Sequence, residues 1–226
     1  MLAYADGRRR LVCRPTEPSR RVRTLSDVVL PRRCAGCRAP GDWLCSSCRD
    51  ACEPEALALG QGLPGRAAGT FAGPLREAIH AFKYGGEHAL ANELGALVAR
   101  LVAGDLATGT LLDTVVAVPL HRERLRERGY DQALLLAERV ASSGALSLLP
   151  ALHRIRRTDP QVVLDRAERA RNLGGAFVGV ADSLRGLRVA LVDDVATTGA
   201  TLRSAAAAAR ACGARSVRAY VIASDA

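Results

Sequence analysis

At 226 residues the chain is long enough for one α/β domain and a small appendage. No apolar run approaches the roughly 18 residues that cross a bilayer, and no signal-peptide core precedes the first motifs, so a cytoplasmic protein without membrane insertion is expected. The net charge of +9 raises a nucleic-acid reading, which depends on where the charge lies.

Residues 1–33 hold nine arginines against Asp6, Glu17 and Asp27, a net of +6 that leaves only +3 of the total for the rest. Residues 1–23 are polar, Arg-rich and without apolar periodicity, which predicts a disordered basic tail. Such a tail can touch nucleic-acid phosphates weakly, but a solvated tail is the simpler expectation. Lys83 is the chain's only lysine, a bias that follows from codon composition as readily as from phosphate recognition.

Residues 24–56 read as a small module. Cys34-Ala-Gly-Cys37 is followed after seven residues by Cys45-Ser-Ser-Cys48, and two such pairs offer four thiolates for tetrahedral Zn2+. Gly36, Pro40-Gly41 and Trp43 fit a compact loop with too little apolar surface to fold unaided. In a reducing compartment zinc is favoured over a disulfide; buried thiols or a redox pair are the other readings. The zinc would be structural, because four thiolates leave no open position. Cys52 stands as a fifth candidate ligand, while Cys13 and Cys212 are not expected to bind.

Residues 57–226 alternate strand and helix patterns. A short strand is expected over Ala67–Phe71, a helix from Gly73-Pro74 to Lys83, and a second helix from Glu87 to Ala103. Thr114–Pro119 reads as a buried strand and Asp131–Ala141 as a helix. Arg188–Val192 and Ser216–Ile222 complete the strands. The alternation predicts a largely parallel, doubly wound sheet.

The most informative stretch is Val189-Ala-Leu-Val-Asp-Asp-Val-Ala-Thr-Thr-Gly-Ala-Thr201. Four apolar residues suit a strand buried on both faces. Asp193 and Asp194 then fall at its carboxyl end, where open α/β sheets hold ligands. The run Ala196, Thr197, Thr198, Gly199, Ala200, Thr201 leads into an apolar helix, about Gly199–Cys212. Backbone N–H groups at that helix start, with the Thr hydroxyls, make a phosphate cradle. Paired carboxylates beside it suit sugar hydroxyls or a metal-bound ligand.

Two Arg-rich blocks precede this site in the chain. One follows the Thr114–Pro119 strand and contains Arg124 and Arg128. The other begins at Arg156-Arg157 and continues through Arg166, Arg169, Arg171 and Asn172. Taken singly each arginine suits a solvated helix face, but as blocks beside a ligand edge they suit a pyrophosphate leaving group. No Cys, Ser or Lys stands out as a nucleophile, and His80, His88, His121 and His153 read as packed or surface residues.

The Val189–Thr201 stretch resembles the phosphoribosyl pyrophosphate (PRPP) signature of type I phosphoribosyltransferases. With the Cys pairs, Phe82-Lys83-Tyr84, Val118-Pro119-Leu120, Arg128-Gly-Tyr-Asp-Gln132, Gln161, Arg169, Arg171-Asn172 and Ala176-Phe177, the chain from about Leu25 onward resembles the ComF family of ComFC- and GntX-like proteins. The resemblance implies a type I phosphoribosyltransferase fold preceded by a zinc-finger-like module. It implies PRPP with Mg2+, the ribose 2′- and 3′-hydroxyls on Asp193 and Asp194, and the 5′-phosphate on Ala196–Thr201. Arg124, Arg128, Arg156 and Arg157 would serve the pyrophosphate. Where 6-oxopurine salvage enzymes of this superfamily carry a third acid, this chain has Thr197, which argues against hypoxanthine or guanine as acceptor. The implied roles are phosphoribosyl transfer to an unidentified acceptor, or non-catalytic support of DNA uptake through single-stranded DNA or protein contacts.

Overall fold

The computed structural model describes residues 32–155 and 176–225. The cysteine segment comes first and ends in a short helix, α1 (Ser46–Asp50). β1 (Glu55–Ala58) and β2 (Pro64–Ala67) form an antiparallel hairpin. Helices α2 (Gly73–Tyr84) and α3 (Leu90–Ala107) lead into β3 (Thr114–Ala117). α4 (Arg122–Arg128), α5 (Gln132–Gly144) and β4 (Ser147–Leu148) follow, and β5 (Leu152–Arg154) pairs with β6 (Phe177–Gly179). β7 (Arg188–Ala196), α6 (Ala200–Ala211) and β8 (Ser216–Ser224) end the described chain.

Six strands make one sheet in the order β1-β2-β8-β7-β3-β4, parallel except at the β1-β2 hairpin. The doubly wound expectation holds, and β7 shows why. Ala190 and Val192 join a core shared with α2, α3 and α5, while Val189 and Leu191 join the core beneath α6. Alternate side chains enter opposite layers, so a run of four apolar residues is what a central strand requires. Ala205, Ala206, Ala208 and Ala209 are buried on α6 and let that helix lie close to the sheet.

Four sequence expectations shift. The strand expected at Ala67–Phe71 lies earlier, at Pro64–Ala67, because that segment pairs with β8; beyond it Thr70 makes only an isolated bridge to Ser224. The helix expected from Glu87 starts at Leu90 and runs on to Ala107. β7 continues through both aspartates to Ala196, held by pairing with β8 as far as Ser224. Strand β1 begins at Glu55, so the last two residues assigned to the module already belong to the sheet.

The cysteine segment does not stand apart. Cys34, Leu44, Cys45 and Cys48 lie in the same core as Ile79 and Phe82 of α2 and Leu94 of α3. Gly36 sits against the start of α2: a Cβ there would lie 2.8 Å from Pro74 Cβ and 2.9 Å from its carbonyl oxygen.

Two charge clusters tie the sheet together. Asp105, 5% exposed near the end of α3, accepts from Arg66 of β2 at 2.8 Å, and from Arg218 at 2.9 Å and Tyr220 at 2.8 Å, both on β8. Asp113 takes both the backbone N–H and the guanidinium of Arg188, joining the starts of β3 and β7. Among the described residues no helix is long and apolar enough to cross a membrane.

Candidate functional site

The four cysteines expected as ligands converge. Their sulfurs all lie within 4.8 Å of one another, with Cys34–Cys48 at 3.7 Å and Cys37–Cys45 at 3.6 Å. A tetrahedral Zn2+ with Zn–S bonds of about 2.3 Å needs sulfur separations of about 3.8 Å, so this donor set fits a structural zinc. Cys45 N–H donates to Cys34 Sγ at 3.3 Å, the backbone-to-sulfur contact that orients a ligand thiolate. Cys52 is outside this group: its thiol donates to the Cys48 carbonyl at 3.3 Å, and burial pushes its pKa up.

At the end of β7 the two aspartates differ. Asp194 Oδ1 accepts from the Val195 N–H at 2.6 Å, and Oδ2 lies 2.9 Å from Lys83 Nζ. Asp193 Oδ1 accepts its neighbour's N–H, from Asp194 at 2.8 Å. Burial first, then the Asp194 charge, push the Asp193 carboxyl up to about 8. Two adjacent acids held this way are costly in an empty site and suit hydroxyl donors or a cation.

The loop beyond them has the shape of an anion cradle. Ala196 is buried at the strand end, its carbonyl accepting from Asp225 N–H at 2.8 Å, while Thr197, Thr198, Ala200 and Thr201 are exposed. The amides of Thr197, Thr198 and Gly199 donate to no acceptor among the described residues. Gly199 caps α6 with φ of +71°, and a Cβ there would lie 2.6 Å from Leu59 Cδ2. A left-handed turn under a packed leucine leaves room for no side chain. Thr198 Oγ1 accepts from Ala200 N–H at 3.4 Å, so this hydroxyl orders the turn.

Lys83, the partner of Asp194, also lines a cavity of about 510 Å³ with Tyr84, Gly86, Arg124, Glu127 and Arg128. Arg124 and Arg128 thus share a cavity with Lys83, whose ammonium pairs with Asp194. The Arg128-Gly-Tyr-Asp-Gln132 block builds this wall. Arg128 lies over the Tyr84 ring at 5.3 Å and donates to Gln132 Oε1 at 3.0 Å. Gly129 ends α4 at φ of +77°, and the Tyr130 hydroxyl donates to the Phe82 carbonyl. Asp131 accepts from Leu120 N–H and from Leu134 N–H, each at 3.1 Å, fixing the loop after β3 and capping α5. Arg156 and Arg157 lie outside the described residues, as do Gln161, Arg169, Arg171 and Asn172.

Three contributors escaped the sequence reading. Lys83 is one, and being the sole lysine was its available signal. Arg154 is another: burial lowers its pKa, the Arg124 charge lowers it further, and Asp193 opposes both, so these groups share one field. Arg203, on the second turn of α6, is the third. The histidines serve packing: His80 lies between the Phe71 and Tyr84 rings at 5.9 Å from each, His88 packs on Tyr130 at 3.9 Å, and His121 caps α4.

Comparisons with known proteins give the family. The family model "Phosphoribosyl transferase domain" matches residues 132–226, which include both aspartates and the loop after them. The DNA utilization protein YhgH of Escherichia coli (strain K12) is 30% identical over 203 residues, covering 77% of this chain and 89% of that protein. The chain belongs to the ComF family of phosphoribosyltransferase-like proteins. Within the family, Competence protein F of Haemophilus influenzae is 31% identical over 161 residues, covering 69% of this chain and 70% of its own. YhgH of Salmonella typhimurium is 34% identical over 136 residues, but the match spans 57% of this chain and only 58% of that protein. The domain match starts at Gln132, so Arg124 and Arg128 lie outside it.

Proposed function

We propose that the protein binds PRPP across the carboxyl end of the sheet and transfers its phosphoribosyl group to an acceptor. The observation that carries this reading is the placing of two aspartates and a loop whose Thr197, Thr198 and Gly199 amides have no acceptor among the described residues at one strand end, with Asp194 paired to Lys83, which lines a cavity with Arg124 and Arg128. Asp193 and Asp194 hold the ribose hydroxyls. The amides and hydroxyls from Thr197 to Thr201 take the 5′-phosphate. Arg124 and Arg128 face the pyrophosphate, and Arg156 and Arg157 join them from the segment that follows β5.

In the reaction the bond from ribose C1 to the pyrophosphate oxygen breaks, pyrophosphate leaves with the electron pair, and an acceptor atom bonds to C1. Arginines that strengthen their hold as the leaving group gains charge lower that barrier. Mg2+ bound with PRPP supplies further neutralisation of the pyrophosphate, and the hard oxygens of Asp193 and Asp194 are compatible with its nearby charge. The zinc, held by Cys34, Cys37, Cys45 and Cys48, is structural and takes no part in the step.

Calorimetric titration of PRPP into the purified protein, with Mg2+ present and then chelated, tests the reading. Saturable Mg2+-dependent binding supports it. A folded, zinc-loaded protein that shows no heat with PRPP overturns it.

A second reading, a non-catalytic partner of DNA uptake that binds PRPP or single-stranded DNA, draws on one surface. Phe71, just before α2, stacks on His80, and His80 and Tyr84 on α2 continue the row to Arg128 over the Tyr84 ring; Tyr84 is 70% exposed. Rings interleaved with cations suit stacked bases. The name of the Haemophilus relative, Competence protein F, points the same way. Pyrophosphate release that depends on an added acceptor distinguishes the transferase; single-stranded DNA binding without such release favours the accessory role.

A further inference from the structure

Resting on the PRPP reading above, we propose that Lys83 is the residue that selects pyrophosphorylated ribose over ribose monophosphate, leaving Asp194 for the pyrophosphate when the ligand arrives.

Lys83 stands on the last turn of α2 with its ammonium 2.9 Å from Asp194 Oδ2, the two side chains 17% and 15% exposed. The same side chain lines the 510 Å³ cavity together with Arg124 and Arg128. One flexible cation thus borders both the ribose carboxylate and the space lined by arginines. In the empty site its charge offsets that of Asp194, which lies next to the Asp193 carboxyl. Ribose hydroxyls bring hydrogen bonds to Asp194 but no charge, so they replace the lysine's bonds and free its ammonium. A diphosphate beside it is then the strongest acceptor within reach.

The residue type fits this exchange. All of the other 31 Lys or Arg residues are arginine, and the one lysine falls where a single group must serve two partners in turn. A four-carbon stem with three rotatable donors can change partner without moving α2, whereas a guanidinium fork is committed to one plane. Ribose 5-phosphate fills the carboxylate and loop positions but offers nothing to the released lysine. The discrimination between the two ligands therefore passes through Lys83.

The test is titration of the full-length protein, and of Lys83→Met and Lys83→Arg, with PRPP and separately with ribose 5-phosphate, Mg2+ present throughout. Loss of a charge-assisted hydrogen bond predicts that Lys83→Met weakens PRPP by about 10- to 100-fold while ribose 5-phosphate stays within about twofold. Lys83→Arg keeps the charge and falls between. Equal weakening of both ligands overturns the proposal, because Lys83 then only orders Asp194. Unchanged PRPP affinity overturns it too. A wild-type protein that binds neither ligand overturns the ribose-phosphate site itself, and this inference with it. Should Lys83→Met not fold, Lys83→Met with Asp194→Asn leaves no orphaned charge, and its ratio of PRPP to ribose 5-phosphate affinity against Asp194→Asn alone makes the same decision.

Discussion

Arg203 Nη1 donates to the Thr198 carbonyl at 2.8 Å and to the Leu59 carbonyl at 3.1 Å, so one nitrogen joins the loop after β7 to the β1-β2 hairpin. The loop's shape is therefore held from two sides: by the left-handed Gly199 turn and by a guanidinium from the helix that the loop begins.

Replacing that guanidinium tests whether loop shape governs phosphate affinity. Arg203→Met removes two charge-assisted bonds, each contributing about 1.5–3 kcal/mol at most, and leaves the loop backbone less ordered. Binding of ribose 5-phosphate should weaken by at least about tenfold. Arg203→Lys should recover part of it, and the hairpin should exchange its amide hydrogens faster in Arg203→Met. An Arg203→Met protein with wild-type affinity would show that the Gly199 turn suffices.

The buried carboxyl of Asp193 makes the empty protein sensitive to pH. Its folded value, about 8, lies above the unfolded value of about 3.9. The folded state thus keeps a proton that the unfolded chain has lost, and the associated stability is full below about pH 4 and lost as pH rises to about 8. Asp193→Asn carries no charge to bury. In chelator and without ligand, the variant should melt above wild type at pH 9 by at least about 1 kcal/mol, or ~2–4 °C at this chain length, and match it near pH 4. A variant less stable than wild type at pH 9 would mean that Asp193 is charged and well solvated in the empty site.

Much of this site was legible from residues 189–201 because strand, acids and loop are contiguous. A buried strand, a pair of acids and a Gly-containing turn announce themselves within one stretch of chain. Arg124 and Arg128 were visible as a basic block, but not the reason that block shares a cavity with Lys83. That reason is long-range: Tyr130 bonds to the Phe82 carbonyl and Asp131 holds Leu120, bringing α2 and the loop after β3 together. Lys83 and Arg154 were missed on the same ground, since only the folded chain sets them beside Asp194 and in the field of Asp193. The β1-β2 hairpin was hidden because Glu55–Ala58 and Pro64–Ala67 lack β-branched residues, and the edge of β8 organises them.

Asp105 is the main buried polar group outside the site, and its removal should cost stability without regard to ligand. Asp105→Ala leaves Arg66, Arg218 and the Tyr220 hydroxyl without their common acceptor. Burial already pushes the Tyr220 phenol above its ordinary range, so that hydroxyl cannot ionise to compensate. Denaturant melts should show a loss of about 3 kcal/mol, the scale of a broken buried pair. A loss under about 1 kcal/mol would indicate that the two arginines, each about 30% exposed, are satisfied by water instead.

The zinc module should be needed by the ligand site as well as by itself. Metal analysis should return about one zinc per chain, as four convergent thiolates require. Cys45→Ser should lower that figure, and Cys52→Ser should not, because Cys52 bonds the Cys48 carbonyl and lies outside the cluster. The consequence for function runs through α2. Cys34, Cys45 and Cys48 share a core with Ile79 and Phe82, and Phe82 immediately precedes Lys83. Chelation should therefore release several kcal/mol of stability and weaken PRPP binding together. Deletion of residues 1–23, by contrast, should leave that binding unchanged. A metal-free protein that stays folded and binds PRPP as before would reduce the four cysteines to packing residues and uncouple the module from the site.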